Sequence, residues 1–371
     1  MVVAAVAALV VLALTLTPTP PTAAPPTLWR LLGAELGLAD FIGNIALFLP
    51  LGVALSAARR GVRSAVIGAA VLSAMVEVTQ GFFVPGRDAS LGDFAANVIG
   101  GASGGWIAVH AGLLLWPTRR YALRLAAVAT VAAMLVLCAV AWLFAPGRPS
   151  RGYEGQYGAH WYGHPGLALG VVRASINGAP FGWEAIAGAP GISRELESER
   201  VVLEIDVVPG APLEGASRLA AVIADDAEHA SLARFEADGR DLVFSVRTRA
   251  GAAGLRDPWL RLRNALPARG PDARQAPPAD WAAPLIAGRD TLRLRGARDG
   301  NRLTVRARAR TGGDSTSLRL DVTRGWMLLV PISMTPRDDG AWWSALWLVV
   351  LFGPAAYWVV RGAVMQGDAR A

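Results

Sequence analysis

Six long apolar blocks constrain what this chain can fold into. Their approximate bounds are 2–17, 41–57, 64–83, 91–116, 121–144 and 342–360. A helix rises about 1.5 Å per residue, so it needs roughly 17–25 apolar residues to cross about 30 Å of hydrocarbon. Most of the blocks reach this length. The sequence therefore predicts an α-helical polytopic membrane bundle of about six spans.

The region between the fifth and sixth blocks, residues 146–340, has a different texture. Short runs alternate apolar and polar residues, and turns such as Asp299-Gly300-Asn301 separate them. Alternation with period two is typical of half-buried strands. We therefore expect an all-β antiparallel sandwich inserted between the bundle (1–145) and a final transmembrane helix with its tail (341–371). Its predicted strands are 201–208, 219–224, 231–236, 241–249, 291–295, 302–309 and 317–322.

Arginine clusters predict the orientation, because basic residues collect on the cytoplasmic side of membrane proteins. The clusters follow the second, fourth and sixth blocks: Arg59, Arg60 and Arg63, then Arg119, Arg120 and Arg124, then Arg361 and Arg370. This places both termini of a multi-pass plasma-membrane protein in the cytoplasm and the sandwich outside the cell. A cleaved signal peptide within residues 1–24 is an alternative that leaves the remaining orientation unchanged.

Charge and cysteine content narrow the function classes. All 36 basic residues are arginine, and 29 acids leave a formal charge of +7. The two signs are mixed along the chain, so we expect no single basic patch and no nucleic-acid partner. The single cysteine, Cys138, lies in an apolar block and cannot pair within the chain. We expect no cofactor and no metal, since His160-x-x-x-His164 falls in an irregular stretch.

A polar cluster inside the third and fourth blocks is the main functional candidate. Glu77 and Gln80 are three residues apart and share one helix face, as do Asp93 and Asn97 at a spacing of four. Ser90 and Asp93 have the spacing of a capping box. A charged carboxyl in hydrocarbon costs several kcal/mol unless it has partners or reaches water. The two helices are therefore expected to face each other, aided by the small residues Gly100, Gly101, Gly104 and Gly105.

A third helix joins this cluster and completes a recognisable pattern. The order Asn44…Phe48-x-Pro50-x-Gly52, Glu77-x-x-Gln80, Arg87, Asp93-x-x-x-Asn97-x-x-Gly100 resembles the VanZ family over about residues 40–115. With Arg87-Asp88 included, the resemblance and the motif give the site candidates Asn44, Glu77, Gln80, Arg87, Asp88, Asp93 and Asn97. The resemblance implies a cell-envelope protein linked with tolerance of glycopeptide antibiotics such as teicoplanin, and no settled biochemical activity.

Three interpretations of the cluster stay open. The polar groups could neutralise one another and fasten helices together. They could form an outward-facing pocket for an envelope lipid, a lipid-linked cell-wall precursor or another amphipathic ligand, with Arg87 as the anion contact. In an enzyme, Glu77 or Asp93 would act as acid or base. We favour the binding pocket, with the lipid bilayer and an envelope glycan or envelope protein as further partners.

The predicted sandwich carries two weaker signals. Its strand pattern over 231–249 is similar to concanavalin A-like and laminin-G-like domains. Glu204-Ile205-Asp206 resembles part of a β-glucanase signature, but the final acid is missing, so we expect two solvent-facing strand acids instead of a catalytic pair. Seven aromatic residues of this region could stack on sugars, although most aromatic residues in a sandwich belong to its core. These candidates are Tyr153, Tyr157, Trp161, Tyr162, Trp183, Trp259 and Trp281.

Overall fold

A computed structural model of the chain describes fourteen segments. These are residues 2–17, 37–59, 61–84, 87, 89–147, 152–157, 170–182, 186, 199–208, 216–224, 231–266, 291–309, 312–330 and 340–367. The chain divides into two compact units. The helical unit comprises Met1–Val136, Ala253–Leu255 and Ala345–Ala371, and the sheet unit comprises Leu137–Ala252 and Arg256–Ser344.

Long apolar helices build the first unit. They are α1 (Val2–Thr15), α2 (Leu38–Arg59), α3 (Val62–Phe83), α4 (Leu91–Val109), the short α5 (Ala111–Leu115), α6 (Arg119–Leu143) and α8 (Ala341–Gly367). The single-turn helix α7 (Arg249–Ala252) belongs to the sheet unit. Among the described residues, four of these, α2, α3, α6 and α8, are long and apolar enough to cross a membrane, and α1 is a shorter apolar helix. The predicted fourth block divides at His110 into α4 and α5.

The outer faces of these helices are apolar. Phe82 and Phe83 at the end of α3 are 80% and 77% exposed, and Val128 on α6 is 68% exposed. Apolar surface on this scale suits a lipid environment, because soluble proteins rarely expose contiguous apolar patches of large area. These helices define a membrane protein.

Glycines on α4 bring three helices into backbone contact. A Cβ added to Gly100 would lie 2.4 Å from the carbonyl oxygen of Ile45 on α2. A Cβ added to Gly104 would lie 2.0 Å from the carbonyl oxygen of Leu49 on the same helix. A Cβ on Gly101 would lie 2.3 Å from the Ala69 Cβ on α3. The predicted small-residue face therefore serves two neighbours, with alternate pairs of glycines turned to α2 and to α3.

Two antiparallel sheets form the second unit. One has the order β1 (Tyr153–Tyr157), β5 (Ala216–Ala224), β6 (Ser231–Asp238), β7 (Asp241–Val246), β8 (Trp259–Leu262). The other has the order β11 (Gly312–Arg319), β10 (Arg302–Ala309), β9 (Leu292–Asp299), β4 (Arg200–Val208), β2 (Gly170–Ile176), β3 (Ala179–Pro180).

The sheets pack face to face over an apolar core. The Phe244 ring on β7 packs directly against Gly296 on β9, so that a Cβ added to Gly296 would lie only 2.3 Å from the ring. Alternate residues of β4, Val201, Leu203, Ile205 and Val207, are buried. The expected turn residues Gly239 and Gly300 have φ of 61° and 56°, a conformation that favours glycine and suits two-residue hairpins.

The predicted strands match most of this sheet unit. Those at 201–208, 219–224, 231–236 and 302–309 lie within observed strands. The strand expected at 317–322 overlaps β11, but β11 begins earlier and ends at Arg319. A 3₁₀ helix follows over Val322–Leu328. The Asp321 side chain accepts a hydrogen bond from the Thr323 N–H at 3.0 Å and so begins a helical turn where a strand was expected. The short strands β1, β2, β3 and β8 were not predicted.

Candidate functional site

Glu77 links the end of α3 to the start of α4. Its Oε2 accepts a hydrogen bond from the Ser90 backbone N–H at 2.7 Å, and the residue is only 8% exposed. Ser90 is the N-cap of α4, and its Oγ accepts from the Asp93 N–H at 3.2 Å. Half of the predicted capping box is thus formed as expected. The other bond of the box, from the Ser90 N–H, is accepted by Glu77 on the neighbouring helix instead of by Asp93.

Asp93 is consequently available to a third helix. Its Oδ1 accepts a hydrogen bond from the Asn44 Nδ2 on α2 at 2.6 Å. The Asp93 carboxylate is also within electrostatic range of Asp40, Glu77 and Arg87. Two acids and one arginine therefore act on Asp93 at the shared end of α2, α3 and α4.

A second polar contact lies deeper between α3 and α4. The Asn97 Nδ2 donates to the Ser73 Oγ at 2.9 Å, and the two residues are 2% and 0% exposed. Asn97 Oδ1 is buried without a hydrogen-bond partner in the described structure. Because Ser73 and Glu77 are four residues apart on α3, and Asn97 follows Asp93 by four on α4, the two levels are stacked one helical turn apart.

The first helix supplies backbone acceptors that sequence reasoning missed. Gln80 Nε2 donates to the Thr15 carbonyl oxygen at 2.8 Å, and Arg87 Nε donates to that of Thr17 at 3.4 Å. The last carbonyls of a helix have no intrahelical partner, so the end of α1 before Pro18 was the available signal.

The cluster therefore has a buried layer and a rim. Ser73, Glu77, Gln80 and Asn97 are buried, whereas the side chains at the rim are partly exposed: Asn44, Arg87, Ser90 and Asp93. Within the described residues, the long Arg87–Thr17 contact is the single hydrogen bond of the Arg87 guanidinium. Asp88, the remaining sequence candidate, lies outside the described residues.

The acids of the weak glucanase-like signature are engaged in ion pairs on the six-stranded sheet. Glu204 Oε1 lies 2.8 Å from Arg295 Nη1, and Asp206 Oδ1 lies 2.8 Å from Arg293 Nε. Both carboxylates point to the outer face, opposite the buried residues of β4. They are strand acids on the outer face, as predicted.

The aromatics considered for sugar stacking are packed where the structure describes them. Tyr153 is 2% exposed, the Tyr157 ring lies 6.2 Å from that of Phe181, and Trp259 lies edge-on to Trp326 at 6.4 Å. Trp161, Tyr162, Trp183, Trp281 and the two histidines His160 and His164 lie outside the described residues.

The sheet unit also contains a half-buried carboxyl group, Asp257, and a buried arginine, Arg298. Burial raises the pKa of Asp257 to about 6, although the Thr248 N–H donates to it at 2.8 Å. Burial lowers the pKa of Arg298, whose Nη2 donates to the Phe144 carbonyl oxygen at 2.7 Å and whose Nε donates to that of Gly300 at 3.0 Å.

Tightly packed apolar helices with a polar cluster at one shared end define the class of this protein, a helical membrane protein with an added antiparallel β domain. Residues 4–116 match the family model described as VanZ/LLP1, which confirms the VanZ-like nature of this region. The match includes α1, whose carbonyls complete the cluster. No curated protein and no solved structure matches the chain significantly.

Proposed function

We propose that the helical unit binds the anionic headgroup of an envelope lipid, a lipid-linked cell-wall precursor or a related amphipathic molecule. The partly exposed Arg87 carries this proposal, because among the described residues its guanidinium makes one long bond, from Nε to a carbonyl oxygen. A guanidinium matches phosphate geometry with paired donors. Asn44 and Asp93 beside it supply polar groups for the rest of a headgroup.

The contacts of Glu77 favour binding over catalysis. One carboxylate oxygen accepts from the N–H of Ser90, the N-cap of α4, so Glu77 positions the helix that carries Asp93 and Asn97. A membrane enzyme using Glu77 or Asp93 as acid or base is the alternative, favoured by the electrostatic coupling of the two carboxylates. Glu77→Gln separates the two, because an amide oxygen still accepts the Ser90 bond but cannot exchange a proton. In the binding interpretation this variant keeps the cellular phenotype, including any tolerance of glycopeptide antibiotics.

Binding is tested with the full chain in detergent, using farnesyl phosphate as probe and farnesol as the uncharged control. We expect Arg87→Gln to weaken binding of farnesyl phosphate at least ~10-fold, since a hydrogen bond to a charged group contributes about 1.5–3 kcal/mol. The matched control Arg124→Gln removes an exposed arginine on α6 and leaves binding unchanged. Equal affinity for farnesol, or full affinity in Arg87→Gln, overturns the proposal.

For the whole chain we propose about six spans in the plasma membrane, both termini in the cytoplasm and a concanavalin A-like sandwich outside. Support comes from the arginine clusters after the second, fourth and sixth apolar blocks and from the two packed antiparallel sheets. In a Cys138→Ser background, a membrane-impermeant maleimide is expected to label Ser315→Cys in intact cells and to label Arg120→Cys only after lysis. Reversed labelling contradicts the orientation.

A further inference from the structure

The outer face of the six-stranded sheet concentrates arginine in a way that the sequence did not predict. Cross-strand register places eight arginines and three carboxylates on this face, an excess of five positive charges. The arginines are Arg173, Arg200, Arg293, Arg295, Arg302, Arg306, Arg308 and Arg319, and the acids are Glu204, Asp206 and Asp299. All eight arginines are exposed. The expectation of no single basic patch is therefore wrong for the folded chain.

The charges on this face are divided unevenly between its two halves. On the β4 side, Glu204 pairs with Arg295, and Asp206 pairs with Arg293 and Arg173. On the β10 side, Arg302, Arg306 and Arg308 form no ion pair within the described part of the chain. The excess positive charge is thus concentrated along one strand.

Folding alone gives no reason for this arrangement. Arg306 lies directly opposite Arg295 and Arg308 opposite Arg293, while Arg302 has Arg319 on one neighbouring strand and Asp299 on the other. Like charges directly opposite on neighbouring strands destabilise a sheet. A multivalent anion lying across the strands would remove this repulsion, whereas solvent only screens it.

Spacing and composition identify the kind of anion. Alternate residues of a strand lie roughly 7 Å apart, so Arg302, Arg306 and Arg308 extend over about 20 Å, too far for a single phosphate. The remaining described positions on the face are small or aliphatic, including Thr304, Ser315 and Ser317, and none is aromatic. A surface without aromatic side chains lacks the stacking platforms that single-stranded nucleic acid uses.

We propose that this face, the arginine face, binds a linear phosphodiester polymer of the cell envelope through repeated arginine–phosphate contacts. The guanidinium groups recognise charge and spacing, and the polymer lies along β10 and β11 with its phosphates between the strands. This surface belongs to the sheet unit and does not involve the polar cluster of the helical unit, but the proposal rests on the outward orientation of the sandwich proposed above. Binding driven by phosphate contacts weakens steeply as salt concentration rises.

The test uses the full chain in phosphatidylcholine nanodiscs with poly(glycerol phosphate) as the probe. We expect the triple variant Arg302→Gln, Arg306→Gln, Arg308→Gln to bind at least ~10-fold more weakly, because each exposed ion pair contributes up to about a fivefold factor. The slope of log affinity against log salt is expected to fall by about one per arginine removed. Three exposed arginines elsewhere, replaced as Arg63→Gln, Arg124→Gln and Arg263→Gln, provide a control with the same loss of net charge.

The controls separate the proposal from its rivals. Retained affinity in the control and in Arg87→Gln, with loss in the triple variant, supports the arginine face. Equal loss in the control and the triple variant overturns it, because net charge alone then explains binding. Tighter binding of single-stranded DNA than of poly(glycerol phosphate), or binding of phosphatidylglycerol vesicles alone, also overturns it. Thermal unfolding of the triple variant shows whether the sheet remains folded.

Discussion

In the helical unit, polar side chains mostly meet backbone groups or neutral side chains of another helix, whereas in the sheet unit arginines meet carboxylates directly across strands. Glu77 accepts from a backbone N–H and Asp93 from an asparagine amide. Glu204 and Asp206 instead pair with Arg295 and Arg293. The apolar surroundings of the helices demand a donor for each buried carboxylate, while water around the sheet tolerates an excess of charge.

The two units also differ in how they achieve close packing. The helices approach through glycine, with the α2 backbone against Gly100 and Gly104. The sheets approach mainly through interleaved side chains, as where Phe244 covers Gly296. Helix contacts made by backbone atoms cannot adjust by rotating a side chain, so they are expected to be the more sensitive to small substitutions.

The largest effect is expected from Gly104→Ala. The new methyl group would lie 2.0 Å from the Leu49 carbonyl oxygen and 2.8 Å from the Val53 nitrogen, so α2 and α4 must separate. We expect a loss of at least ~3 kcal/mol and little folded protein in detergent, measured by gel filtration and thermal unfolding. Gly43→Ala on α2 is the matched control, because nothing lies within 4 Å of its new Cβ. Equal stability of the two variants would contradict the backbone contact.

The next effect concerns Asp257, a half-buried carboxyl group of the sheet unit. Asp257 in the folded state keeps its proton to about pH 6, whereas its ordinary pKa is 3.8. The free energy of unfolding is therefore expected to fall by roughly 3 kcal/mol between about pH 4 and pH 6 and to stay level above. Asp257→Asn should remove this slope, as measured by denaturant unfolding followed through tryptophan fluorescence.

The environment of Asp257 sets the control for that experiment. Thr248 donates to it twice, from its N–H at 2.8 Å and its Oγ1 at 3.2 Å, and Arg234, Arg247 and Arg298 act on it electrostatically. Asp238→Asn removes a partly exposed carboxylate of the same unit and should leave the slope in place. An unchanged slope in Asp257→Asn would show that another group titrates in this range.

A smaller effect is expected for the neutral pair deep in the helical unit. Ser73→Ala and Asn97→Ala, alone and combined, form a double-mutant cycle for the 2.9 Å bond between Asn97 Nδ2 and Ser73 Oγ. We expect a coupling of about 1 kcal/mol in thermal unfolding, as for a typical hydrogen bond. A coupling near zero would mean that the Asn97–Ser73 bond adds nothing to the packing of α3 against α4.

Sequence patterns predicted the elements better than the contacts between them. Glu77 and Gln80 share a helix face as their spacing indicated, and the Ser90–Asp93 cap formed. The partners of Gln80 and Arg87 could not be read from residue types, because they are backbone carbonyls at the end of α1. Glu77 takes the place of Asp93 as acceptor of the Ser90 N–H, and this depends on how closely α3 and α4 approach. The periodicity of the sequence does not specify that distance.

The sheet shows the same limit in a different form. Strand alternation identified β4, β6 and β10, but the charge of a sheet face is set by which strands become neighbours. Arg293 and Asp206 are 87 residues apart along the chain, yet the register of β4 and β9 places them side by side. Composition therefore suggested mixed charge where the folded sheet has an arginine-rich face.

The smallest effect is expected from the surface pair of the sheet unit. Glu204 and Arg295 lie 2.8 Å apart, with side chains 35% and 49% exposed. A cycle of Glu204→Gln and Arg295→Gln should give a coupling below about 1 kcal/mol, falling further in about 1 M salt as screening increases. The neutral Ser73–Asn97 coupling should not respond to salt in this way. If the Glu204–Arg295 coupling proved larger and independent of salt, the outer face would be shielded from water, and the arginine face could not be an open surface for a polymer.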